Sequence, residues 1–274
     1  MDRTRNPFAP IEAEVKAVFA ETPTIKTLRL APRQRIPFAT GQFIELTVPG
    51  VGEAPFTPSS NPNRDDQMDV SVMRVGKVTN KIHELREGDR VGLRGPYGTG
   101  YPLSEFAGRE VLIVGGGCGF APLRSLVYEL FNRAGQFRKL IFRGGCRTPK
   151  DFLYKSEIDR WAKRGDMDVK LTVDVADGEW KGNVGVVTTI LDSLDMEVSR
   201  GVAIVCGPPV MMKFATRRLL DLGVLPQNLY LSMEKNMSCG LGKCGHCRIG
   251  TFYACQDGPV FRYDRIMGFP GIWE

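Results

Sequence analysis

The chain has 274 residues, 42% of them apolar and 25% charged, so it exceeds one average domain and its ordinary globular composition argues against long disorder. The net charge of +6 is scattered among 31 acidic residues, which speaks against a nucleic-acid binder and for a phosphate ligand or an acidic protein partner. The longest apolar runs, 111–114 and 202–206, fall far short of the ~20 residues of a membrane span, and the charged Met1–Pro7 stretch has no apolar core behind it, so neither membrane insertion nor a secretory leader is expected and the location is read as cytoplasmic.

In chain order, alternating or β-branched runs predict strands at 12–19, 25–30, 43–48, 68–75 and 90–93, separated by Pro, Gly and Asn turns, with one or two helical turns at 80–86. Short strands at this spacing predict a small antiparallel barrel. The pattern then changes. Val111-Leu112-Ile113-Val114 reads as a strand buried on both faces. Helices are predicted at 122–134, 152–163, 186–194 and 209–222, alternating with strands at 140–142, 169–175, 202–206 and 229–232. That alternation predicts a parallel sheet covered on both faces, an α/β nucleotide-binding domain. From Met233 onward the periodicity is lost.

Two turns carry chemistry. Gly115-Gly116-Gly117-Cys118-Gly119 follows a strand and opens a helix whose first turn holds Pro122. Bare backbone N–H groups at a helix start suit a diphosphate, although the text is not G-x-G-x-x-G and a ligand-free tight turn is the alternative. Cys206-Gly207-Pro208-Pro209 ends a later strand before another helix. Both lie at carboxyl ends of strands, where open α/β sheets bind ligands, and together they are more specific than either alone.

Of seven cysteines, Cys118, Cys146 and Cys206 are isolated, whereas Cys239, Cys244, Cys247 and Cys255 are spaced C-x4-C-x2-C-x7-C. The first three match the plant-type [2Fe–2S] spacing, where a glycine-rich loop wraps the cluster, while the last gap is shorter than in a whole ferredoxin domain. A zinc ribbon and a thiol redox site are the alternatives; zinc favours two C-x2–4-C knuckles and only Cys244/Cys247 makes one. His246 reads as an exposed loop residue or as a further ligand. Cys206 has no paired histidine, since His83 and His246 lie in other segments, so it is not read as a nucleophile.

Together, GGGCGFAP (115–122), CGPP (206–209) and the cysteine run resemble the ferredoxin–NADP reductase superfamily, in its iron–sulfur branch. The cysteine run is similar to that of the dihydroorotate dehydrogenase electron-transfer subunits. It is closer still to that of the gamma subunits of cytosolic NAD(P)-linked nickel–iron hydrogenases, which the segments 181–187 and 257–261 also look like. The resemblance covers nearly the whole chain and implies an FAD barrel at 1–102, an NAD(P) domain at 103–232 and a [2Fe–2S] module at 233–274 too short to fold without its metal. It places the family's Arg-x-Tyr-Ser flavin motif on Ala54-Pro55-Phe56-Thr57, continued by Pro58 and Ser59. Phe56 would stack on the flavin, with core packing as the alternative. Thr57 would bond its edge, and Ala54 cannot supply the phosphate-binding Arg, for which Arg74 is the candidate. Gly76, Val78 and Thr79 fall on the second flavin element, and Gly95 and Gly98 on the junction motif. Gly115, Gly116, Gly117, Gly119, Pro122, Cys206, Gly207 and Pro208 would hold the nicotinamide nucleotide. Arg147, with Lys150, is the candidate for a 2′-phosphate, favouring NADP over NAD.

The implied function is an electron-transfer subunit that moves electrons between NAD(P)H, FAD and a [2Fe–2S] cluster and a catalytic partner subunit. A hydrogenase core is the first choice of partner. Alternatives are a dihydroorotate dehydrogenase, sulfite reductase or bifurcating transhydrogenase complex, a stand-alone diaphorase, and a zinc-stabilised binding module without redox activity.

Overall fold

A computed structural model describes residues 6–64 and 66–273; the Met1–Arg5 part of the leader reading lies outside the described residues. The first region is built from β1 (Ile11–Ala20), β2 (Ile25–Pro32), β3 (Phe43–Val48), β4 (Gly52–Phe56), β5 (Met68–Met73), the short helix α1 (Lys77–Ile82) and β6 (Arg90–Tyr97). The strand order is β4-β3-β6-β1-β2-β5, and every neighbouring pair is antiparallel. Just past β4 the two edges meet. Pro58 bridges Val70, and the Ser59 N–H donates to the Asp69 carbonyl at 2.8 Å. The expected barrel closes there. Ile44, Leu46 and Val48 on β3 join Val91 and Leu93 on β6 inside it, with the period of two that a pleated strand imposes. β4 was not expected from the sequence, because Pro55 interrupts the pattern; an edge strand tolerates a missing N–H.

The second region carries β7 (Glu110–Gly116), α2 (Phe120–Asn132), β8 (Lys139–Cys146), α3 (Lys155–Lys163), β9 (Met167–Val173), β10 (Asn183–Val184), β11 (Val202–Cys206), α4 (Pro209–Asp221) and β12 (Leu229–Ser232). Val111 to Val114 are fully buried, each worth roughly 1.5–3 kcal/mol of burial. The sheet order is β10-β9-β8-β7-β11-β12-β15, where β15 (Val260–Arg262) comes from the C-terminal tail. The expected parallel sheet is therefore mixed: six strands run parallel and β15 pairs antiparallel with β12.

Two expected helices are shorter than their patterns. At 186–194 only a 3-10 turn forms, Val187–Ile190, since four of its first five residues are β-branched Val or Thr and resist helix. The helix expected from 152 starts at Lys155, because Tyr154 adopts a left-handed φ of 54° while Phe152 and Leu153 turn into the core.

The tail contains a hairpin, β13 (Arg248–Ile249) with β14 (Phe252–Tyr253), then β15 and α5 (Tyr263–Ile266). It stitches the regions together: the Thr99 N–H at the end of the barrel donates to the Gly258 carbonyl at 2.5 Å. A buried ion network clamps the opposite side. Arg124 on α2 reaches Asp69 of β5 at 3.0 Å and Glu157 of α3 at 2.6 and 3.0 Å, while Arg29 takes the other edge of Asp69. Burial raises the Asp69 pKa, but the bonds from Arg29 and Arg124 outweigh it and hold the carboxylate charged. Among the described residues no helix is long and apolar enough to cross a membrane.

Candidate functional site: a nucleotide crevice beside a cysteine loop

The crevice lies where the sheet reverses direction. From β7 the chain passes through α2 to β8 on one side, while β11 occupies the other. This switch point brings both predicted turns together, with Cys206 paired to Gly115. Gly119 is forced here: a Cβ would meet the Cys206 carbonyl oxygen at 2.5 Å. Gly116, Gly117, Gly207 and Pro208 line the same junction, and Pro122 falls in the first turn of α2. Exposed Arg147 and Lys150 follow β8 at the same carboxyl edge.

The three isolated cysteines are poor nucleophiles. Burial, then Glu234, pushes the Cys118 thiol up to about 12; burial takes Cys146 to about 12 and raises Cys206 further. Glu234, just past β12, was missed by sequence reasoning, which stopped at the loss of periodicity. Its carboxyl is solvent-accessible but crowded by protein at the mouth of the crevice, and this desolvation raises its pKa.

On the barrel, Phe56 ends β4 opposite Ile44 and is half-buried against the barrel core. Thr57 is half-buried beside it, and Pro58 and Ser59 form the closing seam. The Ser59 hydroxyl donates to the Asp69 carbonyl at 3.2 Å. Arg74 is exposed, its Nε donating to Asn80 Oδ1 at 3.0 Å. The Thr79 hydroxyl accepts from the Val75 and Gly76 N–H groups at 2.9 and 2.8 Å, so those two donors close the turn before α1, whose first turn contains Val78. Gly95 lies in β6, and the Gly98 carbonyl accepts from Gln42 Nε2 at 2.9 Å.

The four clustered cysteines share one corner. The seven residues between Cys247 and Cys255 are the β13–β14 hairpin, which brings Cys255 back beneath the loop, and the Ala254 N–H closes on the Cys247 carbonyl at 2.9 Å. Cys247 and Cys255 are buried, Cys239 is partly so and Cys244 is exposed. Cys244 lies near Cys239, and Cys247 near Cys255. Among the described residues no three ligating side chains are already drawn around one ion-sized point.

The fit to an iron–sulfur cluster rests on the donors aimed at sulfur. The Leu241 and Lys243 N–H groups point to Cys239 Sγ at 3.3 and 3.4 Å, and the Gly242 N–H to Cys255 Sγ at 3.0 Å. Burial raises the Cys239 thiol, yet the N–H groups of Leu241, Cys244 and Lys243 overcome it and hold it at about 7, so a thiolate is accessible at neutral pH. His246 is exposed, and its Nδ1 is hydrogen-bonded to Ser238 Oγ at 2.9 Å. A cavity of about 510 Å³ separates Glu53, Ala54 and Pro55 of the barrel from Met237, Ser238 and His246 of the loop.

The chain matches three families in order. They are the oxidoreductase FAD-binding domain over residues 13–101, the oxidoreductase NAD-binding domain over 113–217 and the iron–sulfur cluster binding domain of dihydroorotate dehydrogenase B over 234–267. It is 36% identical to the sulfhydrogenase 2 subunit gamma of Pyrococcus furiosus, with 97% of this chain and 99% of the relative covered. It is 35% identical to a probable dihydroorotate dehydrogenase B (NAD(+)) electron transfer subunit of Methanocaldococcus jannaschii, over 94% and 91% of the two chains. Among solved structures it is similar to the NADH-dependent reduced ferredoxin-NADP oxidoreductase studied for flavin-based electron bifurcation. There the TM-score is 0.75 and the identity 26%, with 93% of this chain and 91% of the other covered.

Proposed function

The chain belongs to the iron–sulfur branch of the ferredoxin–NADP reductase superfamily, with the sulfhydrogenase gamma and dihydroorotate dehydrogenase B electron-transfer subunits, and from that premise we propose that it passes electrons between NADPH and a hydrogenase-type catalytic partner through FAD and a [2Fe–2S] cluster. One observation carries this reading. A flavin-type barrel segment, a nucleotide crevice and a cysteine loop occur in one chain, and the cavity between Ala54-Pro55 and Ser238–His246 lies between the first and the last. When bound, the flavin exchanges electron pairs with nicotinamide and single electrons with the cluster.

The chain's own residues do the rest. Segment 56–59 and the turn at 74–79 would hold the flavin at the barrel edge, where Arg74 and the N–H groups of Lys77 and Val78 would be donors for its diphosphate. Gly115 to Gly119 and Cys206 to Pro208 leave backbone room for the nicotinamide nucleotide. Arg147 and Lys150, exposed at the end of β8, support NADP over NAD. Cys239, Cys244, Cys247 and Cys255 would ligate the cluster, and the N–H groups of Leu241 and Lys243 on Cys239 Sγ and of Gly242 on Cys255 Sγ would moderate the charge on those two sulfurs. Four cysteines gathered at one corner as proposed cluster ligands, rather than spread as a disulfide framework, support a reducing compartment, the cytoplasm.

The test is the visible and EPR spectrum of the purified chain together with native mass spectrometry of its complex. Flavin and [2Fe–2S] signals with a co-purifying hydrogenase subunit are the expected result. A colourless protein would reject the redox reading. A dihydroorotate dehydrogenase partner, or full physiological turnover by the lone chain, would replace the hydrogenase assignment.

A further inference from the structure

Helix α2 follows the glycine turn 115–119, and Arg124 is its fifth residue, so its Cα stands about 7.5 Å along the axis from Gly119 at ~1.5 Å rise per residue. The Arg124 side chain bridges the two regions. Its Nη1 donates to Asp69 Oδ2 at 3.0 Å and to the Ser59 carbonyl at 3.4 Å, both on the barrel, while Nε and Nη2 hold Glu157 of α3 at 3.0 and 2.6 Å. The guanidinium is buried, 4.5 Å from the ring centre of Tyr154 and 5.4 Å from that of Tyr128. The barrel end of the bridge is itself tied down. Arg29 Nε donates to Asp69 Oδ1 at 2.9 Å, the Ser59 N–H to the Asp69 carbonyl at 2.8 Å, and the Asp69 N–H to Ser60 Oγ at 3.1 Å. Tyr154 packs on the guanidinium from a left-handed φ of 54°, a conformation a non-glycine residue keeps only where its surroundings enforce it, and its hydroxyl is hydrogen-bonded to buried Ser71 of β5. Asn63 Nδ2 ties Glu129, farther along α2, at 2.7 Å, but Asn63 is exposed.

We propose that Arg124 is a positioning residue for hydride transfer, one that sets the glycine turn of the nicotinamide nucleotide against the barrel segment 56–59 of the flavin. This rests on the nucleotide and flavin readings of those two segments. A single side chain runs from one half-site to the other: the Ser59 carbonyl accepts from it on the barrel, and the rigid first turns of α2 carry it to Gly119. The step it serves moves one hydride. A C–H bond of NADPH breaks, an N–H bond of the flavin forms, NADPH is oxidised and the flavin is reduced by two electrons. Such a step depends steeply on the separation of the reacting atoms, and a misplacement of about 1 Å costs about 100-fold in rate. An exposed ion pair would hold no such distance. Here a planar donor fork is gripped by a carboxylate from each region, with an aromatic ring near it. A lysine keeps the charge but offers one compact ammonium in place of that fork. Asp69 belongs to the barrel and Glu157 to the nucleotide region, so the two carboxylates separate the tie between regions from a tie within one.

The experiment is stopped-flow reduction of the cofactor-loaded full chain by NADPH in the wild type, Arg124→Lys, Asp69→Ala and Glu157→Ala. Arg124→Lys and Asp69→Ala are expected to slow the saturating rate of flavin reduction at least about tenfold, while half-saturating NADPH stays within about twofold and FAD content is retained. The long-wavelength charge-transfer absorbance of NADPH against the flavin weakens in the same two variants. Glu157→Ala keeps the tie to the barrel, so its rate and absorbance stay within about twofold of wild type. Hydrogen exchange on the loaded chains reads the tie without turnover: the Ser59 and Asp69 amides exchange faster in Arg124→Lys and Asp69→Ala than in Glu157→Ala. A rate or an exchange pattern unchanged in the first two variants overturns the proposal. So does equal slowing in Glu157→Ala, or slowing that only follows loss of FAD, which a merely structural role predicts. If Arg124→Lys or Asp69→Ala fails to fold, the other is set against Glu157→Ala and decides alone. A wild-type chain with no flavin spectrum, or with a flavin that NADPH does not bleach, overturns the reading of the two half-sites, and the proposal with it.

Discussion

The nucleotide crevice and the cysteine loop stand in the same chain but are held in different ways. The crevice is made of backbone at the ends of two paired parallel strands, where Gly119 packs directly against Cys206 and Gly207. The loop from Met237 to Cys247 has no regular structure. It is held by N–H groups on sulfur, by the hairpin that returns Cys255, and by Gln256 Nε2 bonding the Leu241 carbonyl at 2.9 Å. A preformed site tolerates loss of its ligand, whereas a site built around sulfur depends on its metal for order.

The sharpest break is Cys255→Ser. It removes a buried sulfur, a proposed cluster ligand, that receives the Gly242 N–H. We expect loss of the cluster bands and at least about a 100-fold fall in partner reduction, while NADPH-driven dye reduction through the flavin persists. Chelation should reproduce this on the wild type. Hydrogen exchange would then lose protection in the loop and hairpin, 237–256, but keep it in β7 and β11; equal loss in both regions would dissolve the comparison.

Gly119→Ala attacks the other region. Its Cβ has no room beside the Cys206 carbonyl. NADPH binding should weaken about tenfold, roughly 1.4 kcal/mol, with flavin and cluster spectra intact, as equilibrium titration would read.

The seam between the regions gives a pH signature. Burial, then Glu53, raises the Glu45 pKa from 4.5 to about 8. Between those values the folded chain binds a proton that the unfolded chain lacks, so this group's contribution to stability falls as pH rises through the window. Glu45→Gln should remove that fall, and urea midpoints on either side of the window would reveal it. The smallest effect belongs to Arg147→Ala, with about a fivefold higher KM for NADPH and little change for NADH, consistent with loss of one exposed phosphate contact.

The regular parts of the fold were legible because their signals are local. Val111 to Val114 announces a buried strand by composition alone, and the C-x4-C-x2-C spacing marks the segment that matches the iron–sulfur cluster binding family. β15 was not legible, because Val260-Phe261-Arg262 has no period of its own and becomes a strand only by adding to β12. β4 was hidden by Pro55. Glu45 was read only as part of a strand, since its meaning comes from the tail that covers it and from an Arg94 already bound to Glu53. Such long-range coverage leaves no mark in the local pattern.

The central claim is that electrons from nicotinamide reach the cysteine loop through the flavin within this chain. Anaerobic mixing of the purified, cofactor-loaded chain with NADPH, followed by optical and EPR spectroscopy, tests it most directly. The account predicts flavin bleaching followed by the signal of a reduced [2Fe–2S] cluster, and loss of that signal alone in Cys255→Ser. Flavin bleaching with no iron–sulfur signal in the wild type would contradict it.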